Sequence, residues 1–177
     1  MLDYAALEKR GIAAGFSHVG PLRADTIQLL PDVRKMCEAC KKYDTNWACP
    51  PGCGTLEECR ERIGAYREGI LVQTVGQLED EMDGEGMMEA EKRHRETFVA
   101  FHQALLVDYP GLLAIGAGTC SRCKECTYPT APCRFPDQRT SSMEANGMLV
   151  LQVCKDNGMQ YYYGPCTIAY TSCFLLV

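Results

Sequence analysis

The sequence predicts a single compact α/β domain over residues 1–177, a small mixed sheet flanked by helices and carrying two Cys-rich metal-binding loops. An α+β arrangement is the alternative. Three observations lead there. Strand-like segments near residues 17, 71, 113 and 170 are separated mostly by helical ones, which calls for a layered fold. The length of 177 residues suits one core burying roughly 70% of the unfolded surface. No fixed-period repeat, low-complexity tract or long linker divides the chain.

The elements follow in order. Leu2 to Ala14 carries Leu2, Ala5, Ala6, Leu7, Ile12 and Ala13 on roughly one helical face, with Gly15 as the stop. Phe16 to Leu22 alternates as a short strand closed by Gly20-Pro21, and Ala24 to Leu30 reads as a helix stopped by Pro31. Thr55 caps a helix through Tyr66, with Glu57 and Glu58 in the turn where the helix dipole favours negative charge. Ile70 to Val75 is a strand. Glu85 to Tyr109 forms a long helix ending before Pro110-Gly111, and Leu112 to Ile115 a further strand. Ser142 caps a short helix to Ala145, Met148 to Lys155 makes another before Asn157-Gly158, and strand Thr167 to Val177 closes the chain. The acidic stretch Glu79 to Glu91 is ordinary exposed surface, a loop leading into the long helix.

Charge and cysteine content narrow the function. A balance of 18 Lys plus Arg against 23 Asp plus Glu argues against nucleic acid as a partner, because phosphate contacts demand a basic surface. The N-terminus lacks the basic start and apolar stretch of a secretory signal, and Ile168 to Val177 is far short of the roughly 20 residues of a membrane helix. A cytoplasmic protein with no membrane partner is expected. In that reducing setting 12 Cys are more readily explained by metal binding or redox chemistry than by disulfides.

Eight of the cysteines fall in two tight runs. Cys37, Cys40, Cys49 and Cys53 occur in CEACKKYDTNWACPPGC, and Cys120, Cys123, Cys126 and Cys133 in CSRCKECTYPTAPC. Four thiolates in one loop repel one another, and a cation core would neutralise them. Sulfur-only donor sets select zinc or iron-sulfur clusters. The C-x2-C-x2-C run of the second segment matches the ferredoxin pattern for a 4Fe-4S cluster, and Cys49-Pro50 echoes the Cys-Pro that ends such runs. Residues 33–53 and 120–139, around these runs, carry eight basic residues (Arg34, Lys35, Lys41, Lys42, Arg122, Lys124, Arg134, Arg139) against four acidic ones (Glu38, Asp44, Glu125, Asp137), suited to an anionic centre.

Two 4Fe-4S clusters, one per segment, are therefore expected, with zinc as the alternative cofactor. Either Cys49 or Cys133 could ligate the other cluster, and Cys59 could replace Cys53. Trp47 either shields a cluster or belongs to the core. Cys154 and Cys173 read as small buried apolar residues, Cys166 is undecided, and His18, His94 and His102 have no assigned role. Gly116-Ala117-Gly118 reads as a tight turn entering the second segment.

The residues CEACKKYDTNWACPPGCGTLEEC, GTCSRCKEC, PCRFP and SSMEANGMLV, in that order, resemble the DUF2284 family of predicted metal-binding, cysteine-rich proteins. The resemblance covers most of the chain and implies that the eight cysteines named above are the metal ligands. It supplies no reaction. The expected role is an iron-sulfur protein for electron transfer or support of a redox enzyme, working with a redox partner protein. The alternatives are a redox enzyme with a substrate pocket beside a cluster, where Arg134, Arg139 or Glu144 would handle charge, and a zinc-stabilised interaction module.

Overall fold

The computed structural model describes residues 2–177. Helix α1 (Tyr4–Ala14) starts where the Asp3 carboxylate accepts the Ala6 amide at 3.0 Å, and ends at Gly15, whose φ of +117° turns its amide back to the Gly11 and Ile12 carbonyls. Strand β1 (His18–Arg23) comes next, then a 3-10 turn over Ala24–Thr26 and helix α2 (Pro31–Met36). Here the structure departs from expectation. Pro31 opens a helix instead of stopping one, because at the first helical position its missing N–H is not needed and its fixed φ suits the turn.

Helix α3 (Leu56–Gly64) and strand β2 (Glu68–Gln77) precede the long helix α4 (Gly84–Leu106), strand β3 (Leu113–Gly116), the two-residue strand β4 (Ser141–Ser142), helix α5 (Val150–Asp156) and strand β5 (Thr167–Leu175). The expected short helix from Ser142 is replaced by β4 and a 3-10 turn over Glu144–Asn146; Ser142 still caps locally, its hydroxyl accepting the Ala145 amide at 3.0 Å.

The strands form one mixed sheet in the order β1-β2-β5-β3-β4, antiparallel except for the parallel β3–β4 pair. Pro21 is tolerated in β1 because that strand lies at the sheet edge. Side chains alternate across the sheet, and both faces are covered. On one face Ile70, Val72 and Phe174 pack with Leu7 of α1 and Phe98, Phe101 and Leu105 of α4. On the other Leu71, Cys173 and Leu175 pack with Ile63 of α3, Val153 of α5, Met143 and Met148. That double cover explains why Gly69 to Thr74 is buried without interruption, against the in-out rhythm of a one-faced strand.

Helix α4 buries Ala90, His94, Phe98, Phe101, His102 and Leu105, the three- and four-residue spacing of a single stripe. His94 crosses the sheet face to bridge two strands. Its Nδ1 is 2.8 Å from Thr74 Oγ1 of β2 and its Nε2 is 2.7 Å from Ser172 Oγ of β5. Cys154 and Cys173 are fully buried, as small apolar residues would be. The two cysteine-rich segments lie between α2 and α3 and between β3 and β4. The expectation that they form clustered metal-binding loops is overturned: among the described residues no three His, Cys, Asp or Glu are grouped so as to hold a metal ion.

Candidate functional site: a thiol pair held by two arginines

The start of α3 organises the first cysteine segment. Thr55 and Glu58 form a reciprocal capping box, the Thr55 hydroxyl accepting the Glu58 amide at 3.2 Å and the Glu58 carboxylate accepting the Thr55 amide at 2.6 Å. Gly54 precedes it at φ +95°, where a Cβ would come within 2.8 Å of the Glu58 carboxylate. Thr55→Ala is expected to lower stability by about 1 kcal/mol in chemical denaturation, the usual cost of losing an N-cap.

This cap sets Cys53 just before the helix and Cys59 inside it, both buried. Arg62, three residues beyond Cys59 on the same helical face, donates from Nη2 to Cys59 Sγ at 3.2 Å and to the Cys53 carbonyl and Asn146 Oδ1 at 3.4 Å each. Arg34 arrives from α2, donating to Cys59 Sγ at 3.6 Å and to the Gly54 carbonyl. The Cys53 thiol faces the Ala145 carbonyl at 3.7 Å. Asn146 is itself held by Ser141 Oγ at 2.7 Å and the Ser142 carbonyl at 2.8 Å, so the SMEANG stretch forms the floor beneath the two sulfurs.

The two thiols are electrostatically unequal. A hydrogen bond from Cys53, with the charges of Arg62 and Arg34, pulls the Cys59 thiol below its ordinary range despite burial. The same contact and desolvation push Cys53 up. Of the two, Cys59 is the more acidic thiol. Cys37, half-buried, is pushed up mainly by desolvation.

The other candidate ligands have separate partners or surroundings. Cys40 is exposed, and its sulfur accepts the Lys42 amide at 3.4 Å. Cys49 Sγ lies 3.2 Å from Thr119 Oγ1. Cys120, Cys123, Cys126 and Cys133 all border one small cavity of about 40 Å³, but Trp47, Phe135 and Arg122 line it as well. That is room on the order of one water, whose share of liquid volume is about 30 Å³. Trp47 ties the segments together: its Nε1 donates to the Ala131 carbonyl at 3.0 Å and its ring meets Tyr128 edge-on at 4.8 Å.

A family model described as "Predicted metal-binding protein (DUF2284)" matches residues 20–177. The chain belongs to the DUF2284 family. Comparison with curated proteins and with solved structures finds no match.

The DUF2284 description implies a metal, and among the described residues no three His, Cys, Asp or Glu are grouped so as to hold one. The sulfurs of Cys40, Cys49 and Cys53 point to three different partners, Lys42, Thr119 and Ala145, and no group of three donors converges among the described residues. The expectations of two 4Fe-4S clusters, of zinc in their place, and of an electron-transfer or zinc-module role are corrected accordingly. Chain spacing suggests convergence because it records which cysteines are neighbours in sequence, not where their sulfurs point. The residues that spacing undervalues are Cys59, Arg34 and Arg62. The available signal is Arg62 at helical i+3 from Cys59.

Proposed function

We propose that this DUF2284 protein is a two-electron thiol switch in which Cys59 is the attacking thiolate and Cys53 the resolving thiol. The observation that carries the reading is the convergence of Arg62 and Arg34 on Cys59 Sγ, with Cys53 beside it. Thiolates are the reactive form of cysteine, and adjacent guanidinium groups favour them. Burial of both residues selects a small uncharged oxidant over a protein disulfide, and a hydroperoxide fits. The Cys59 thiolate attacks the peroxide oxygen, the O–O bond breaks, and the departing alkoxide or hydroxide takes a proton. Cys59 is then a sulfenic acid. The Cys53 sulfur attacks it, forming the S–S bond and breaking the S–O bond, and the Cys53 proton leaves with the hydroxide as water. Two thiols lose two electrons and the peroxide gains them.

Disulfide formation removes the negative charge between Arg34 and Arg62. Arg34 and Arg62 then lose the anion they share, which weakens the ties they make between α2, the start of α3 and the Asn146 turn. The oxidised form is the altered state that another protein would read. The redox partner expected from the sequence becomes, in this reading, a dithiol protein that returns the disulfide to two thiols by exchange. The twelve free cysteines suit a reducing compartment, and we place the protein in the cytoplasm.

The test is peptide mapping after brief exposure of the reduced protein to hydrogen peroxide. The first disulfide to form is expected to join Cys53 and Cys59. Cys53→Ser should instead leave a sulfenic acid on Cys59 that a dimedone reagent traps, and Arg62→Met should slow oxidation near neutral pH by roughly tenfold through a smaller thiolate fraction. A first disulfide formed elsewhere in the wild-type protein would overturn the reading, whatever the variants do.

A further inference from the structure

The second cysteine segment, between β3 and β4, holds thiols that the Cys53–Cys59 pair does not use. Cys123 stands at the junction of two spaces. On one side it borders the cavity of about 40 Å³ that it shares with Cys120, Cys126 and Cys133. On the other it lines an open hollow with Lys124, Glu125, Arg134 and Phe135. Of the four thiols, it is the one that lines the hollow as well.

The backbone selects its neighbour. The chain bends at every residue from 122 to 125 and runs unbent at 120 and 121, which draws Cys126 back toward Cys123. Residues three apart span at most roughly 10 Å when extended, and a bend shortens that toward the 4.4–6.8 Å Cα separation typical of a disulfide. Cys126 is then held on the cavity wall by the closed loop that follows it. The Thr127 hydroxyl donates to the Pro132 carbonyl at 2.8 Å, the Ala131 amide to the Thr127 carbonyl at 3.0 Å, and Arg134 Nη1 to the Glu125 carbonyl at 2.8 Å. The hollow itself is cationic. Lys124 and Arg134 share it with one acidic residue, Glu125, and among the described residues neither cation forms an ion pair.

We propose that Cys123 and Cys126 form a dithiol that exchanges with a small dissolved disulfide bearing carboxylates, Cys123 attacking from the hollow and Cys126 resolving from the cavity. The Cys123 thiolate attacks one sulfur of the small disulfide, the S–S bond breaks, and the departing thiolate takes the proton that Cys123 gave up. The Cys126 sulfur then attacks the Cys123 sulfur of the mixed disulfide and releases the second small thiol, which takes the Cys126 proton. Two protein thiols lose two electrons, and the small disulfide gains them as it becomes two thiols. Burial keeps such a molecule from Cys53 and Cys59, whereas the half-buried Cys123 meets it at the hollow. The two sites thus take different oxidants, and this one needs neither Cys53 nor Cys59.

The experiment treats the reduced full-length protein, without oxygen, with oxidised glutathione or with the neutral hydroxyethyl disulfide, and maps the cysteines after alkylation. Oxidised glutathione is expected to give Cys123–Cys126 as the first disulfide while Cys53 and Cys59 stay reduced. Cys126→Ser should stop at a glutathione adduct on Cys123, and Cys123→Ser should leave Cys126 reduced over the same period. Lys124→Met should slow the reaction with oxidised glutathione by about threefold or more and leave that with hydroxyethyl disulfide unchanged. A first disulfide that omits Cys123, or that joins it to Cys120 or Cys133, overturns the proposal, as does a first adduct on another cysteine in the Cys126→Ser protein. An unchanged glutathione rate in the Lys124→Met protein overturns the preference for carboxylates. The peroxide result at Cys53 and Cys59 is read from separate peptides, so either site can fail without the other.

Discussion

Phe174→Ala is expected to lower the unfolding free energy by about 3–5 kcal/mol, the range for removing a buried aromatic side chain from a core. Phe174 is fully buried in β5, between the β2 and β3 strands. Its ring stacks on Phe98 at 4.8 Å and meets Phe101 edge-on at 5.6 Å, both from α4. It is therefore where the long helix locks onto the centre of the sheet. Strand pairing holds the backbone in place on both sides, so the surrounding residues have little freedom to collapse into the space left behind. The upper half of the range follows from that constraint. Urea denaturation at neutral pH measures the loss as a lower midpoint with an unchanged slope. A loss below about 1 kcal/mol would mean that α4 is not anchored through this ring.

The same contact shows which parts of the molecule can be read from sequence. Residues 98, 101 and 105 stand at helical spacing, and the alternation through Cys173, Phe174 and Leu175 assigns opposite faces, so both elements are visible locally. The Thr55–Glu58 box is equally local, since both partners lie within one turn. Pro31 is harder to read, because a proline can stop a helix or begin one, and the residues on its C-terminal side decide between the two.

The site is least legible because its partners are far apart in the chain. Arg34 is 25 residues from Cys59, and the Ala145 carbonyl facing the Cys53 thiol is 92 residues away. Spacing that resembles a ligand run reports loop proximity, while the choice between a shared metal and separate hydrogen-bond partners depends on side-chain direction. Trp47 illustrates the point. It belongs neither to a cluster shield nor to the hydrophobic core, but pins one cysteine segment to the other through the Ala131 carbonyl and Tyr128.

His94 makes the protein acid-sensitive in a definable window. Burial lowers its pKa from 6.5 to about 4, while the imidazole in the unfolded chain keeps the ordinary value. The packed rings around it, Phe16, Phe98 and Tyr170, carry no charge in this range, and Thr74 and Ser172 bond the neutral ring. The folded state thus binds fewer protons than the unfolded state between the two values, so stability rises with pH there. The contribution is complete above the unfolded pKa and is lost as pH falls through the folded one. It amounts to about 3 kcal/mol by pH 4, of which about 2 kcal/mol is gone by roughly pH 5. His102, lowered by the same desolvation, adds a change of the same sign. Glu58 and Asp83 are lowered by backbone hydrogen bonds at their helix starts, so their contributions fade only below the ordinary carboxylate range and leave the upper part of the window to the histidines. Denaturation midpoints measured from neutral pH down to about pH 5 are expected to fall accordingly, and His94→Gln, which cannot titrate, should flatten that fall while lowering stability at neutral pH. A midpoint independent of pH across this interval in the wild-type protein would show that His94 is not held as a buried neutral ring.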